Sequence, residues 1–338
     1  MRIATYNVEW FTGLFDRRGR ILEDGERSSR YGVTRAEQLG ALGIVFTALD
    51  ADCVLIVEAP DNNTRRKTVP MLEAFAAKFN LRQRRALIGF ENDTQQEIAL
   101  LYDPDAVQVV HDPHPGTEEA PRFDGKFQID LDIDDTLDTV IFSKPPLEVA
   151  LETRAGTRLR LIGVHVKSKA PHGANDPDST VRIAIENRRK QLAQCLWLRR
   201  RVDDLLAAGD SVMVLGDFND GPGLDEYEKL FGRSGLEIVL GDGLPHARQL
   251  HDPHAHLGKG QTEAQPASAR FFIPEPAPGK YFSAMLDYIL LSRDLLHHKP
   301  RWRIWHPFDD PGCYHAPELR EALLQASDHF PVSVDIAL

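Results

Sequence analysis

The apolar positions of this 338-residue chain change period along its length, and each change predicts an element. Residues 2–8 alternate as a strand does, with Asn7 at the end. Thr34-Arg35-Ala36-Glu37 has the form of a capping box, and Leu39, Leu42, Val45, Phe46 and Leu49 follow at helical spacing. That pattern predicts an amphipathic helix with one face on the core. Residues 52–58 are instead a nearly continuous apolar run closed by Glu58, as expected of a buried strand carrying a carboxylate at its tip. A helix over about 64–79 precedes short strand-like runs at 84–88, 97–102, 107–110, 127–133, 139–142 and 147–151, which predict antiparallel pairs. Residues 158–165 form another strand with His165 at its end. A loop over 166–179 leads to a long helix over roughly 180–206. Its apolar stripe is Val181, Ile185, Leu192, Leu196, Val202 and Leu206, and most of its arginines are expected on a wet face.

The apolar run 212–215 passes directly into Gly216-Asp217-Phe218-Asn219-Asp220-Gly221. In an extended chain residues i and i+2 point to the same side, so Asp217 and Asn219 can face one bound atom while Phe218 turns to the core. The same residues also make ordinary turns, so this motif alone leaves both readings open. Residues 224–231 read as a short helix stopped by Gly232. Residues 242–270 read as a surface loop, because His246, His251, His254 and His256 do not share a face. Residues 283–291 and 301–305 are two more strands, and Asp328-His329 opens a final alternating one. No repeat or low-complexity linker divides the chain, so a single domain over 1–338 is expected.

Composition narrows the classes. Hydrophobic residues make up 42% and charged residues 27%, as in soluble globular chains. No apolar run is long enough to span a membrane, and Met1-Arg2-Ile3-Ala4-Thr5 lacks an apolar signal region, so a cytoplasmic protein is expected. Cys53, Cys195 and Cys313 show no metal-ligand spacing, and Cys53 and Cys195 are expected in apolar packing. The net charge of −11 argues against polyanion binding through global electrostatics but leaves local basic patches open. The charged segment 12–32, with Arg17, Arg18, Arg20, Arg27 and Arg30, reads as a solvated excursion with cancelled charge, a substrate-gripping loop being the alternative.

Polar groups recur where strands end or begin: Asn7, Glu58, His165, Asp217 with Asn219, Asp287, and Asp328 with His329. Strand ends are rigid anchors, and carboxylates, amides and histidines without cysteine suit magnesium or manganese rather than structural zinc. Metal-assisted phosphoryl chemistry is the implied reaction class. Each residue also has an ordinary reading: Asp328 could cap a turn, Asn7 could satisfy a strand end, and His165 could be a core histidine bonded to backbone.

In order along the chain, Thr5-Tyr6-Asn7-Val8, Glu58 after its apolar strand, Val164-His165-Val166-Lys167-Ser168, Gly216-Asp217-Phe218-Asn219, Leu286-Asp287-Tyr288-Ile289-Leu290 and Ser327-Asp328-His329-Phe330-Pro331-Val332 resemble the endonuclease/exonuclease/phosphatase superfamily over nearly the whole chain. The resemblance implies an α/β four-layer sandwich, two packed, mainly antiparallel sheets flanked by helices. It implies that Glu58 holds the metal with Asn7 and Asp328 beside it, and that Asp217 orients or deprotonates the attacking water with Asn219. It further implies that His329, held by Asp287, binds the phosphate, and that His165 serves the leaving oxygen, with Glu97 as that histidine's carboxylate partner. Two departures are visible. Val57 precedes Glu58 where many members have Gln, and Leu286-Asp287-Tyr288 lacks the Asp-Arg pattern of inositol-polyphosphate phosphatases. The stretch from His165 to Lys169 with Asn187-Arg188-Arg189 is most similar to bacterial nuclease-type members.

The expectation is a Mg²⁺- or Mn²⁺-dependent phosphodiesterase cutting DNA or RNA by in-line attack of water. The alternatives are hydrolysis of a small phosphoester or phospholipid headgroup, or a non-catalytic binding protein on the same fold. No membrane-facing aromatic hairpin is evident in the sequence, which disfavours the lipid version.

Overall fold

The computed structural model describes residues 1–130, 137–171, 173, 176–221, 229, 232–256, 266–273 and 280–338. Its strands are β1 (Arg2–Asn7), β2 (Cys53–Ala59), β3 (Arg85–Ile88), β4 (Glu97–Tyr102), β5 (Val107–His111), β6 (Phe127–Ile129), β7 (Asp138–Val140), β8 (Leu147–Thr153), β9 (Arg158–His165), β10 (Val212–Asp217), β11 (Leu250–His251), β12 (Ala269–Ile273), β13 (Lys280–Ala284), β14 (Asp287–Ser292), β15 (Arg301–Ile304) and β16 (Val332–Asp335). The helices are α1 (Arg35–Leu49), α2 (Thr68–Lys78), α3 (Pro177–Ala207), α4 (Gly235–Leu240), α5 (Pro311–Tyr314) and α6 (Pro317–Ala326).

Two six-stranded mixed sheets form the frame, ordered β15-β16-β1-β2-β4-β3 and β11-β14-β10-β9-β8-β5. Within them β1 runs parallel to β2 and β10 parallel to β9, and the remaining pairs are antiparallel. Period-2 alternation separates two cores. Ile3, Leu55 and Val57 point to the inter-sheet core with Leu161, Met213, Leu215, Ile289 and Val334. Ala4, Tyr6, Val54 and Ile56 point outward under α1, α2 and α6, against Leu39, Phe46, Phe75 and Leu323. The other sheet is covered by α3 and α4, which completes the four layers. The sheets approach closely at Gly163, where an added Cβ would lie 2.3 Å from Leu55 Cδ1.

α1 begins at the expected capping box, with Thr34 and Glu37 satisfying each other's backbone amides. α3 starts earlier than its apolar stripe suggests, at Pro177, because Asp176 and Ser179 cap it inside the expected loop. Its face also differs. Val181 is exposed, whereas Arg188, Arg199 and Arg201 are buried. Arg201 donates to Glu148 Oε1 at 2.5 Å and to the carbonyls of Ala120 and Pro121 at 3.1 Å, so pairing replaces the water expected around it.

Three further expectations are corrected. The run 283–291, read as one strand, is broken at Met285-Leu286, and Asp287 opens β14. The stretch 242–270, read as one loop, contains β11 and enters β12. The third concerns β12 and β13, a two-stranded hairpin carrying Phe271, Phe272, Tyr281 and Phe282; Lys, Arg and Pro among these aromatics hid it from a period-2 reading. The helix expected over 224–231 lies outside the described residues, apart from Lys229. Cys53, Cys195 and Cys313 are buried and unbridged. Among the described residues, no helix is long and apolar enough to cross a membrane.

Candidate active site

Strand register builds the first half of the site. Asp217 at the end of β10 is paired with His165 on β9 and with Asp287 on β14, so three polar groups far apart in sequence stand in one row. Gly216 lets β10 reach this row: its φ is +138°, and a Cβ there would lie 2.0 Å from Val164 O. Phe218 turns into the core as alternation requires. Asn219, with φ +50°, donates from Nδ2 to Val166 O at 3.0 Å, and its own amide donates to Asp217 Oδ1 at 2.8 Å.

The other sheet supplies the second half. Asn7 at the end of β1 donates from Nδ2 to Asp217 Oδ2 at 3.0 Å, and its Oδ1 accepts from Glu9 N at 3.1 Å. Glu58 sits at a bulge in β2 with φ +59°, where Oε2 accepts from Trp10 N at 2.8 Å. His329, ahead of β16, has Nδ1 2.7 Å from Asp287 Oδ2 and Nε2 4.0 Å from Asp217 Oδ2. Ser268 Oγ donates to that same Asp287 oxygen at 2.7 Å and accepts from Asp287 N at 2.9 Å, which fixes the carboxylate. Asn7, Glu58, His165, Asp217, Asn219, Asp328 and His329 line a cleft of about 1100 Å³, with Lys144, Lys167, Phe271 and Phe282 also on its walls.

The two histidines are shifted in opposite directions. Burial alone would depress His329, but the carboxylates of Asp287, Asp217 and Asp328 outweigh it and hold the imidazole well above its usual range. Burial pushes His165 well below that range, helped by Lys144 and His329. Its Nε2 lies 3.4 Å from Lys144 Nζ and 3.8 Å from Asp217 Oδ2. Burial raises the Asp217 carboxyl, with His329 opposing. Asp217 is thus held between two imidazoles shifted in opposite directions.

Glu97 is not brought to His165. It pairs opposite Ala59 in the first sheet, bonded to Asn92 Nδ2 at 2.7 Å and Asn62 N at 3.4 Å, while His165 Nδ1 is buried without a partner among the described residues. Burial raises the Glu97 carboxyl to about 7, so its perturbation comes from a separate polar pocket.

The donor set at Glu58 and Asp328 fits a hard divalent cation. Both carboxylates line the cleft, Glu58 accepts a hydrogen bond at one oxygen only, and Asp328 accepts none through its side chain among the described residues. Asp217, Asp287 and His329 also bring ligand-type atoms within 4.8 Å of one another. There one Asp287 oxygen is already engaged, by His329 Nδ1 and by Ser268 Oγ, each at 2.7 Å.

Sequence reasoning missed Lys144, Ser268 and Glu9. Lys144 follows Ser143 in a Pro-rich connection where a loop cation looks like any solvated lysine. Glu9 accepts from Asp328 N at 3.0 Å and pairs with Arg30 at 2.8 Å, so Arg30 is not the solvated charge expected of its segment.

The profile of the Endonuclease/Exonuclease/phosphatase family matches residues 4–329, from β1 to His329. The chain belongs to this family. Members of the Endonuclease/Exonuclease/phosphatase family are hydrolases acting on phosphoesters and usually use divalent metals, so the chain is a phosphoester hydrolase by descent. Truncated TDP2 from Caenorhabditis elegans is similar at 13% identity and a TM-score of 0.50, over 100% of this chain and 97% of that one. An endonuclease/exonuclease/phosphatase family protein from Bacteroides thetaiotaomicron is similar at 13% identity and 0.51, over 99% and 93%. The mannosyl-6-phosphatase of Bacteroides thetaiotaomicron is similar at 14% identity and 0.52, over 100% of both chains. At such identities these structures share the fold. No protein of curated function matches the sequence.

Proposed function

We propose that this protein is a Mg²⁺- or Mn²⁺-dependent phosphodiesterase that hydrolyses DNA or RNA. The observation that carries the reading is Asp217, buried between His165 and His329 and bonded to Asn7 at 3.0 Å, in a cleft that also holds Lys144 and Lys167. A divalent cation held by Glu58 and Asp328, with Asn7 beside them, would neutralise phosphate charge. Asp217 accepts a proton from the attacking water as that oxygen bonds to phosphorus. Asn219 orients the water through its side-chain oxygen. His329, fixed by Asp287, donates to a non-bridging oxygen as negative charge builds. The opposite P–O bond breaks. His165 serves the leaving oxygen as a hydrogen-bond donor, and the proton that completes the alcohol comes from solvent through the open cleft.

Hydrolysis of a small phosphoester is the second reading. The net charge of −11 favours it, and the mannosyl-6-phosphatase shares the fold over its whole length. The lysines and the aromatic wall of the cleft favour a nucleic acid.

The test is incubation with magnesium or manganese against plasmid DNA, single-stranded DNA, RNA, abasic-site duplex and bis(p-nitrophenyl) phosphate, each with and without chelator. Chelator-sensitive cleavage of nucleic acid is expected, and Asp217→Asn should lower kcat on the order of 10²–10⁴-fold with the fold intact. Cleavage of the small ester alone overturns the nuclease reading. Undiminished turnover by Asp217→Asn overturns the role of Asp217.

A further inference from the structure

The β12–β13 hairpin separates its aromatics onto two faces. Phe271 is paired directly opposite Phe282, and Phe272 opposite Tyr281, so each pair shares a face and the faces are opposite. The Phe272–Tyr281 face is partly covered. Tyr31, from the segment after β1, stacks on Phe272 with centroids 4.8 Å apart and planes at 12°, and the Arg270 guanidinium lies 3.5 Å from the Tyr281 ring centroid. The Phe271–Phe282 face lines the catalytic cleft. Phe271 meets the His329 ring edge-on at 5.6 Å, whereas Phe282 is 56% exposed at the cleft mouth.

The hairpin is also held rigidly to the chemistry. Arg270 N donates to Asp328 O at 2.7 Å, Phe330 N donates to Ser268 O at 2.6 Å, and Ala269 bridges His329. The wall therefore stands at a fixed place beside the histidine assigned to the phosphate, on the cleft that presents Lys144 and Lys167. A phosphate-bearing ligand entering there meets cations and an unoccupied aromatic surface together. Cations that meet the backbone, with rings that meet planar groups, are the requirements for binding an unpaired nucleotide strand. A base inside a duplex has no free face to offer. A lipid surface fits less well, because the Arg270 guanidinium lies against the Tyr281 ring on one aromatic face. The other looks into the cleft, and the joining sequence Pro274-Glu275-Pro276-Ala277-Pro278-Gly279 has an acid and no aromatic.

We propose that Phe271 and Phe282 form a stacking shelf for an unpaired base next to the scissile phosphate, making single-stranded nucleic acid or an unpaired end the preferred substrate. This rests on the nuclease reading above. Phe271 sets the inner edge of the shelf against His329, and Phe282 carries the outer, replaceable part.

The test uses the full chain with magnesium or manganese on a single-stranded oligonucleotide, its duplex, and the same strand with an abasic residue on either side of the cleaved bond. Phe282 is solvent-exposed, so its variants retain the fold, which thermal melting checks. Phe282→Ala is expected to raise KM for the single strand about 10-fold with kcat little changed, since one base stack is worth roughly 5- to 150-fold in affinity. It should also lose the wild type's discrimination against the abasic strand, and Phe282→Trp should restore it. Nucleic-acid cleavage by the wild type with Phe282→Ala indistinguishable from it overturns the shelf and leaves the nuclease reading standing. A wild type that cleaves no nucleic acid overturns the nuclease reading, and the shelf with it. Phe282-dependent sedimentation with phosphatidylcholine vesicles, without the KM effect, assigns the face to membrane and also overturns the proposal.

Discussion

Asn7 Nδ2 donates to Asp217 Oδ2 at 3.0 Å across 210 residues of sequence, joining the end of β1 in one sheet to the end of β10 in the other. Both groups are buried, so the bond holds Asp217 in place and stabilises its ionised form. Replacing Asn7 with Asp substitutes a second carboxylate for the donor. We expect Asn7→Asp to lower kcat on the order of 10²-fold or more in steady-state assays, with circular dichroism unchanged. Wild-type kcat in that variant would show that Asp217 does not depend on this contact.

Gly216 is the hinge of the same strand end. At φ +138° with Val164 O 2.0 Å from any added Cβ, even alanine must displace β10 from β9. Gly216→Ala is expected to cost about 3 kcal/mol or more in urea denaturation and to shift Asp217 out of its row. A denaturation midpoint equal to that of the wild type would refute this account.

The buried Arg201–Glu148 pair predicts non-additivity. Arg201→Met leaves Glu148 buried and unpaired, a change expected to cost about 3–5 kcal/mol. Adding Glu148→Leu removes the orphaned charge and should recover most of the loss. Equal stabilities for the single and double variants would contradict the coupling.

At the edge of the first sheet, Arg2 binds Asp335 at 2.8 Å and holds its carboxyl below the ordinary 3.8. A depressed pKa contributes stability above the unfolded value, and that contribution is lost as pH falls through the folded one. The pair is partly exposed, so Asp335→Asn should cost no more than about 1 kcal/mol at pH 7. The difference between variant and wild type should narrow as denaturation is repeated toward pH 3, and a widening gap would reverse the sign argued here.

Much of the site was legible because each of its groups is marked locally. Asn7, His165 and Asp217 end apolar runs, Glu58 closes one, and Asp287 and His329 flank others, and an extended chain fixes which side each presents. The capping box at Thr34 and the core helix after it follow from local hydrogen bonding and period alone.

The sequence by itself determined which polar groups stand at strand ends, where α1 begins, and the family to which the chain belongs. Only the tertiary structure decided which of those groups meet. Asp217 finds His165 and Asp287 through strand register and Asn7 through sheet-on-sheet packing, and the same packing leaves Glu97 in another pocket. It also brought in Lys144, buried Arg201 against Glu148, and turned Phe271 and Phe282 toward the cleft. The physical reason is range. Periodicity and caps are set by neighbours within a few residues, whereas burial, pairing and charge state are set by whichever distant segment packs against them.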